Sequence, residues 1–447
     1  MLKKTIVLTI CLLGLLSPVF ATTYYVAPNG NDSYTGTKVK PFLTIQRVQD
    51  AVVAGDTIWL RGGTYLMTEA QIAAKSGVYV HVTDIIKSGS PGKRINYWAY
   101  PGEKPVFDYS NVKPADYRVS AFWVSASWIH FKGFEVTGVQ VTIKTHTQSE
   151  CFSNDGSNNI YEMLNMHDGM AIGFYLRKGS DNLILNCDAY RNNDYFSENG
   201  LGGNTDGFGC HTARGAINNK FQGCRAWFNS DDGYDCISSA EAVTYENCWA
   251  FYNGYSTDFK SLGDGNGFKG GGWAYKPPSQ VPAPTPRMII RFCLTVRNKA
   301  SGFYSNHHRG GSDWFNNSAY LNGNNYNMLN RLIDNSADVP GYDHKMRNNL
   351  GFTGHKEITN IDSIKSDIRN NYFSLPVTVT ANDFLSLDEA LLTAPRQPDG
   401  SLPDNDFMKL KPTSSLIDKG VDIGFPFKGA APDLGCFESG KALGNRH

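Results

Sequence analysis

The sequence has no excess of charge of either sign. Its 447 residues include 42 lysines and arginines and 42 aspartates and glutamates, and only 19% of the residues are charged. A protein that binds nucleic acid needs a basic surface to displace counterions from phosphates, so we expect no nucleic acid partner. With 41% hydrophobic residues, the composition also excludes a disordered chain and a coiled coil.

Long apolar runs are absent beyond the N-terminus. No later segment has the roughly 18 consecutive apolar residues of a membrane-spanning helix, so we expect no membrane span. Residues 1–21 have the pattern of a secretory signal peptide, in which two lysines precede an apolar core and Ala21 ends a small-residue cleavage site. We therefore expect an exported protein that is secreted, periplasmic or held at the cell surface.

The cysteines show no metal-binding pattern, because no Cys-x-x-Cys pair occurs among them. Four of them, Cys187, Cys224, Cys248 and Cys293, occupy the same local sequence frame. Equivalent cysteines in stacked repeats act as small buried apolar residues, so we expect no disulfides among these four.

Short segments repeat along the middle of the chain. Those of the first set end in asparagine and alternate small or apolar residues with polar ones, which is typical of a short strand before a turn. Those of the second set contain glycine followed by an aromatic residue. The first set comprises 186–192, 223–229, 247–253 and 292–298, and the second comprises 206–209, 232–235, 266–269 and 301–304.

A period of roughly 24 residues with insertions at one corner predicts an all-β fold, a right-handed parallel β-helix. Long loops are expected on one side, because the connections 192–206 and 253–266 are much longer than the equivalent connections in the alternate coils. The recurring asparagines predict amide ladders at the turns, and the recurring Phe and Tyr residues predict an aromatic interior.

We expect one domain over residues 22–447. Its predicted parts are an N-terminal cap at about 22–75, coils at about 76–375 and a C-terminal cap at about 376–447. Residues 41–52 have helical periodicity with Thr44 as N-cap, so a short helix is expected to cover the open end of the coils. The segment 433–437 is predicted to form a final strand.

Acidic residues gather in the second repeated set. Matching the repeats makes Asp206 equivalent to Asp232, and Asp235 equivalent to Lys269, with Asp231 at the same corner. Equivalent residues of adjacent coils lie about 4.8 Å apart, so four carboxylates would repel one another unless a cation binds among them. Ca²⁺ accepts such irregular oxygen ligands. The alternatives are a solvated turn for the acids and a surface ion pair for the lysine.

A lysine beside a bound Ca²⁺ has a chemical use. In a galacturonate chain the C5 proton is α to the C6 carboxylate, and a cation on that carboxylate stabilises the charge that forms when the proton leaves. A neutral Lys269 amine would take the proton, and departure of the C4 substituent would complete a β-elimination. We expect burial and the nearby divalent charge to lower the pKa of this lysine.

Three motifs at these positions resemble polysaccharide lyase family 9, the calcium-dependent pectate and rhamnogalacturonan lyases with a right-handed parallel β-helix. The motifs are 204–208 (NTDGF), 229–235 (NSDDGYD) and 265–271 (GNGFKGG). The resemblance extends to the segments 24–32 and 431–435 and therefore to nearly the whole mature chain. It implies a Brønsted base at Lys269 and Ca²⁺ ligands at Asp206, Asp231, Asp232 and Asp235.

Further substrate contacts are predicted one coil beyond the lysine. Arg309 is a candidate for binding a substrate carboxylate through two hydrogen bonds, and His307 and His308 are candidates for binding sugar. For each residue the alternative is a structural role at a turn.

The expected function is that of a secreted calcium-dependent polysaccharide lyase, acting as a monomer on an acidic plant cell-wall polysaccharide. Rhamnogalacturonan-I is favoured over polygalacturonate, because residues 190–330 have nearly as many acidic as basic side chains and show no basic groove. One alternative is an inverting hydrolase of the polygalacturonase kind, since Asp206, Asp231 and Asp232 resemble its acidic motifs. The other is a non-catalytic glycan-binding β-helix.

Overall fold

A computed structural model describes residues 21–274 and 276–439. The predicted signal peptide lies outside these residues except for Ala21. The described chain winds through three long sheets in turn, and nearly all strand pairs are parallel and join one coil to the next. The predicted all-β parallel β-helix is therefore confirmed.

The first two sheets have twelve and ten strands. Sheet 1 consists of Thr23–Val26, Thr57–Leu60, Ile95–Ala99, Ile129–Lys132, Ile160–Glu162, Leu183–Leu185, Asn219–Gln222, Val243–Glu246, Ile289–Arg291, Asp313–Phe315, Lys345–Arg347 and Asp367–Arg369. Sheet 2 consists of Gly63–Thr68, Pro105–Asn111, Glu135–Thr137, Asn165–His167, Asp188–Tyr190, Arg225–Trp227, Trp249–Phe251, Leu294–Val296, Ser318–Tyr320 and Leu350–Phe352.

Sheet 3 has eleven strands and carries the second repeated set. Its members are Ala74–Ser76, Tyr79–Ile85, Arg118–Val124, Glu150–Asn154, Ile172–Leu176, Phe208–Cys210, Tyr234–Asp235, Phe268–Lys269, Ser301–Tyr304, Asn324–Asn327 and Lys356–Thr359. A separate antiparallel hairpin, Leu329–Arg331 with Asp338–Pro340, follows this sheet near its C-terminal end.

A column of aromatic rings fills the interior behind sheet 3. Phe208, Tyr234 and Phe268 are fully buried in successive coils, and their ring centroids lie 4.9 and 4.4 Å apart. Phe303 and Tyr326 extend the column. Because every second residue of a strand points inward, this register directs the residue after each ring outward. The aromatic column therefore determines which face Asp235 and Lys269 occupy.

The predicted asparagine ladder is present at the end of sheet 2. The side-chain amide of Asn192 donates to Asn229, and the ladder continues through Asn253, Asn298 and Asn322 with N···O distances of 2.9–3.1 Å. Each of these asparagines is buried, so the polar groups at every turn need hydrogen-bond partners within the protein. The ladder supplies them and fixes the spacing of the coils.

The cysteines have the role expected from their frame. The four stacked cysteines are buried and form no disulfide in the described part of the chain. The residue before each of the four stacked cysteines is at a corner with positive φ, which asparagine and glycine adopt at low cost. The sulfur of Cys187 contacts the carbonyl oxygen of Tyr161, 3.3 Å away in the previous coil.

The N-terminal cap is shorter than the helical pattern predicted. The α-helix is confined to Ile45–Val48, and the Thr44 hydroxyl accepts a hydrogen bond from the backbone of Arg47 as predicted for an N-cap. Short 3₁₀ turns lie at Glu69–Gln71, Pro278–Gln280, Ala381–Asp383 and Glu389–Thr393. No helix in the described part of the chain is long and apolar enough to cross a bilayer.

The C-terminal segment differs from the predicted cap. Tyr372 and Phe373 lie against Tyr326 at the last coil, and Phe384 and Val421 also contact the last coils. Other described residues of this segment reach strands further back in sheet 2. Arg396 reaches Asp188, which is on the fifth of the ten strands of that sheet, at 2.6 Å. The predicted strand 433–437 is wrong, because this segment is bound by single hydrogen bonds to the corners of sheet 2 and not by a ladder.

The long connections flank sheet 3 on both sides. Residues 191–207 and 252–267 link sheet 2 to sheet 3, as predicted, and residues 270–288 lead from sheet 3 to sheet 1. Sheet 3 thus has an outer face walled by loops. The acidic residues lie on this face.

Candidate functional site

The strand register of sheet 3 brings the predicted residues together. Asp235 pairs with Gly209 in the previous coil and with Lys269 in the next. Just before these strands, the backbone carbonyl oxygen of Asp232 accepts a hydrogen bond from the backbone amide of Gly207. Because Asp206 directly precedes Gly207, Asp206 and Asp232 are neighbours in adjacent coils. The predicted equivalences of Asp206 with Asp232 and of Asp235 with Lys269 are confirmed.

The two aspartates form part of a side-chain ladder. The backbone amide of Asp232 donates to Asp206 Oδ1 at 3.1 Å, and that of Asn266 donates to Asp232 Oδ1 at 2.6 Å. Ser301 continues the same pattern by donating to Asn266 Oδ1 at 3.1 Å. One oxygen of each aspartate therefore binds the next coil. The second oxygen is left for another partner.

Three carboxylates meet at the outer edge of this ladder. Asp206, Asp232 and Asp235 each offer an oxygen within 4.8 Å of the other two, and all three side chains are buried. Asp232 Oδ2 is buried, accepts no hydrogen bond from the ladder and forms an ion pair with the Lys269 ammonium nitrogen at 2.7 Å. Hard divalent cations prefer several carboxylate oxygens converging on one point, so these residues fit a Ca²⁺ ion.

Asp231 lies at the edge of this cluster. Its side chain is buried, but Oδ1 accepts a hydrogen bond from the backbone of Asp264 at 2.8 Å and so holds the inserted loop 252–267. The four residues from Ser230 to Gly233 form a bend and not a strand, which is why neighbouring aspartates both face the same corner. The structure thus brings together three of the four predicted ligands and places the fourth beside them.

Burial and mutual repulsion disfavour the charged form of two of these acids. Burial raises the pKa of Asp206 well above its usual value, and the charges of Asp231, Asp235 and Asp232 add to the shift. Burial also raises the pKa of Asp231, with Asp232 as the next cause. A bound cation would relieve this repulsion directly.

Lys269 is the cation within this cluster. Its ammonium nitrogen lies 2.7 Å from Asp232 Oδ2, 3.3 Å from Asp235 Oδ2 and 3.9 Å from Asp264, and the side chain is 10% exposed. Burial by itself lowers the pKa of Lys269, but the surrounding carboxylates outweigh it and raise the pKa well above the usual value. The aspartates by themselves therefore raise the pKa of Lys269, whereas the sequence predicted that this pKa would be lowered.

The predicted substrate residues lie at three different depths. Arg309 is buried and has no hydrogen bond or ion pair in the described chain. His307 is partly exposed, and its Nδ1 lies 2.8 Å from Asp338. His308 is fully buried, with Nδ1 accepting from Gly272 and Nε2 donating to Pro286, and burial lowers its pKa to about 4. Both ring nitrogens of His308 serve the loop, which leaves neither for sugar.

Three neighbours of the site were not predicted from the sequence. Asn266 holds Asp232 Oδ1 with both its backbone and its side-chain amide, Asp264 approaches the lysine, and Tyr304 pairs with Lys269 in the next coil. Asn266 stands in the same repeat position as Asp206 and Asp232, so the alignment of repeats contained the signal. Asp264 lies in an inserted loop with no repeat equivalent.

The comparisons with known proteins agree with this architecture. The family model described as "Pel9A-like, right handed beta helix region" matches residues 24–349. Pectate lyase L of Dickeya chrysanthemi is 34% identical over 422 residues, which cover 93% of this chain and 90% of that protein. Pectate lyase PEL9 of Emericella nidulans is 31% identical over 66% of this chain and 72% of its own length.

Two solved structures share the fold over most of the chain. A rhamnogalacturonan lyase is 47% identical, with a TM-score of 0.84, over 88% of this chain and 97% of its own. Pectate lyase Pel9A is 32% identical, with a TM-score of 0.74, over 93% and 96%. The chain belongs to the Pel9A-like right-handed β-helix proteins of polysaccharide lyase family 9 and is a polysaccharide lyase.

Proposed function

We propose that this protein is an exported, calcium-dependent lyase that cleaves galacturonate-containing pectin backbones by β-elimination and prefers rhamnogalacturonan-I to polygalacturonate. The observation that carries the proposal is the Lys269 amine, which lies 2.7 Å from one carboxylate of a three-aspartate cluster. An acid cluster alone would serve only to bind a cation. The adjoining amine adds a group that can accept a proton.

Lys269 is assigned as the base. Its position on the outer face of sheet 3, between Asp235 and Tyr304 in the adjoining coils, puts the amine at the surface that a polysaccharide lying across the coils would touch. The amine takes the C5 proton of galacturonate, and the electron pair of the C5–H bond forms the C4–C5 double bond. The C4–O bond breaks with its electron pair on the leaving sugar oxygen, which takes a proton from solvent. The amine must be neutral beforehand, and it ends the step as an ammonium.

Asp206, Asp232 and Asp235 are assigned as the cation ligands, with Asp231 beside them. Bound Ca²⁺ would supply charge neutralisation of the substrate carboxylate and would offset the aspartate charges that raise the pKa of Lys269. Asn266 positions Asp232 through two hydrogen bonds to Oδ1 and leaves Oδ2 directed at the cluster. These hydrogen bonds thus hold the assigned cation ligand Asp232 in place before a substrate binds.

The geometry argues against the inverting hydrolase. That mechanism needs two carboxyl groups about 6.5–9.5 Å apart so that a water molecule fits between substrate and base. Asp206 and Asp232 instead converge to within 4.8 Å and are joined by a backbone hydrogen bond. The non-catalytic alternative does not account for a buried lysine in the same cluster.

The substrate preference rests on similarity and on charge. The solved rhamnogalacturonan lyase has higher sequence identity to this chain than does pectate lyase Pel9A, 47% against 32%. Rhamnogalacturonan-I carries a carboxylate on every second sugar, which suits a chain with equal numbers of acidic and basic residues. Export rests on the signal-peptide pattern of residues 1–21. A monomer is proposed because all assigned groups lie on one chain.

The test is turnover on purified polymers with added Ca²⁺. We expect the mature protein to release products with an ultraviolet-absorbing C4–C5 double bond, faster from rhamnogalacturonan-I than from polygalacturonate. Lys269→Gln should reduce this rate by about a thousandfold or more, because no other lysine of the described chain is paired with the acid cluster. The control Lys132→Gln removes a 41%-exposed lysine on sheet 1 and should leave the rate unchanged.

Three results would refute parts of this proposal. Turnover by Lys269→Gln equal to that of the parent would remove the base assignment. Turnover that persists in excess chelator would remove the calcium requirement. Products that lack the double bond would indicate hydrolysis and overturn the elimination chemistry.

A further inference from the structure

A basic cavity lies one coil beyond the catalytic lysine, at the corner where the chain passes from sheet 3 to sheet 1. It has a volume of about 500 Å³. Arg309, Gly310 and Gly311 line it from the turn after the strand Ser301–Tyr304, which pairs directly with the strand of Lys269. The cavity is therefore connected to the site by a single rung of sheet 3.

Arg309 is the unusual residue of this cavity. Its side chain is mostly buried, with 8% of the residue exposed, and Nε and Nη1 are buried without a hydrogen bond. No carboxylate in the described chain lies within ion-pair distance of it, and the exposed Asp334 interacts with its charge only at longer range. Burying an unpaired guanidinium is costly, so an anion from outside the protein is the partner that would compensate its charge.

The other charges around the cavity leave it positive. Arg287, Lys345 and Lys365 also line it, against two acids, Asp343 and Asp367. Asp367 is already engaged by two arginines of sheet 1, Arg347 and Arg369. Arg287 is paired with Asp313 and Lys365 with Asp362, which leaves Arg309 and Lys345 as the lining cations without an ion pair in the described chain. Arg309, whose Nε and Nη1 are buried without a hydrogen bond, gives the cavity an affinity for a carboxylate.

An apolar cavity of about 600 Å³ adjoins the basic one. Lys365 lines both cavities, so they share a wall. The apolar surface comes from the hairpin after sheet 3 and from Tyr342, and Ile333 at the hairpin tip is 70% exposed. Two acids, Asp334 and Asp362, also line this cavity, and Asp362 is paired with Lys365. Exposed apolar side chains grouped in a cavity indicate a surface that binds apolar groups.

The hairpin is joined to the catalytic face by a chain of contacts. The Tyr304 ring, one rung from Lys269, lies 6.0 Å from the His307 ring. His307 in turn contacts Asp338, the first residue of the second hairpin strand, at 2.8 Å. These contacts link the hairpin to the face that carries the lysine, and the shared Lys365 links the basic cavity to the apolar one.

We propose that the two cavities form a distal subsite that binds one uronate and one 6-deoxysugar of the same polysaccharide. The basic cavity takes the uronate carboxylate on Arg309, and the apolar cavity takes the methyl group of the deoxysugar. The proposal rests on the lyase function proposed above and specifies its substrate. A polymer of galacturonate alone would place a second carboxylate against the apolar surface, so the pair of cavities favours the alternating polymer.

The test measures binding without turnover. In the full mature chain carrying Lys269→Gln, we expect Arg309→Met to weaken binding of a rhamnogalacturonan-I hexasaccharide about tenfold or more by calorimetry. Because Arg309 has no partner among the described residues, the same substitution should leave the thermal midpoint unchanged or raise it. A fall in the midpoint with unchanged binding would show a structural role and overturn the proposal.

The apolar half has its own matched pair of variants. Ile333→Ser should weaken binding of the same hexasaccharide severalfold and leave binding of a galacturonate hexasaccharide unchanged. Ile364→Ser is the control, because Ile364 is 95% exposed and does not line the cavity. Equal effects of Ile333→Ser on both oligosaccharides would overturn the assignment of the methyl group.

The binding results are separable from the lyase function. If the parent chain releases no unsaturated product, the proposed function fails even where Arg309→Met weakens binding. If the parent cleaves the polymer and Arg309→Met binds the hexasaccharide normally, the lyase function stands and the distal subsite is wrong.

Discussion

Two ladders of side chains run along this β-helix, and they differ by one functional group. At the end of sheet 2, Asn229 and Asn253 pass hydrogen bonds from coil to coil through both the oxygen and the nitrogen of each amide. At the start of sheet 3, Asp206 and Asp232 occupy the equivalent kind of position, and each accepts the backbone amide of the next coil.

The difference separates a structural ladder from a functional one. An amide has two donors and an acceptor, so a buried asparagine satisfies its turn completely and carries no charge. A carboxylate satisfies the backbone equally well with one oxygen, but its second oxygen and its charge need a partner that the ladder does not provide. The acidic ladder is thus less stable by itself and able to bind a cation.

The strongest effect should come from converting the acidic ladder into the neutral one. Asp232→Asn keeps the acceptor for Asn266 and removes the charge that faces Lys269. We expect turnover to fall by about a thousandfold or more while the protein remains folded, because only the cation site and the base environment are lost. Turnover and circular dichroism measure the two effects.

The control is Asp50→Asn, which removes a 73%-exposed carboxylate from the N-terminal cap and should not affect turnover. If Asp232→Asn kept full activity, the functional interpretation of the acidic ladder would be wrong.

The reverse exchange tests the neutral ladder. Asn253→Asp would bury a charge at a position where the amide nitrogen now donates to Ala226 and Asn298, so the one carboxylate oxygen that replaces this nitrogen would face two acceptor oxygens. We expect a loss of about 4 kcal/mol in the free energy of unfolding, measured by denaturant titration. Asn360→Asp is the matched control, because that amide also donates to an asparagine but at an exposed position, and it should cost far less.

A lone buried acid elsewhere on sheet 3 shows what one such charge costs without a cation site. Burial raises the pKa of Glu150 from 4.5 to about 7, although Arg177 and Arg118 lower it. The folded state therefore retains this proton up to about pH 7, and wild-type stability falls relative to Glu150→Gln as pH rises from about 4.5 to about 7. Above that range we expect the variant to be more stable by about 3 kcal/mol.

Thermal unfolding of both proteins at pH 4 and pH 8 measures this effect. The two midpoints should nearly coincide at pH 4 and differ at pH 8. A constant difference at both values would show that the side chain acts by packing and not by titration.

Stabilisation by the cation itself should be the weakest of these effects. At a Ca²⁺ concentration of about 100 times the dissociation constant, binding to the folded state adds about 2.7 kcal/mol to the free energy of unfolding. Thermal midpoints with Ca²⁺ and with chelator measure it, and Asp232→Asn should abolish the difference. Stabilisation of that variant equal to wild type would place the cation elsewhere.

The repeat pattern predicted the coils of the β-helix better than it predicted the ends of the chain. The period of the cysteine, asparagine and aromatic positions was enough for the parallel β-helix, the amide ladder and the buried cysteines, because each coil repeats the same local environment. The segment 376–439 has no such repeat, and the sequence did not show that Arg396 reaches back to Asp188. Contacts between residues far apart in an irregular segment have no local signal.

Repeat alignment is sufficient to identify the residues that share an edge. Strand register follows from that alignment, so the sequence alone places Asp206, Asp232, Asp235 and Lys269 as neighbours. Tertiary packing set three other features of the site. It directs Asp231 toward the inserted loop, occupies both ring nitrogens of His308, and leaves Arg309 without a partner among the described residues. These features depend on side-chain direction and burial, which arise only when separate coils and loops pack together.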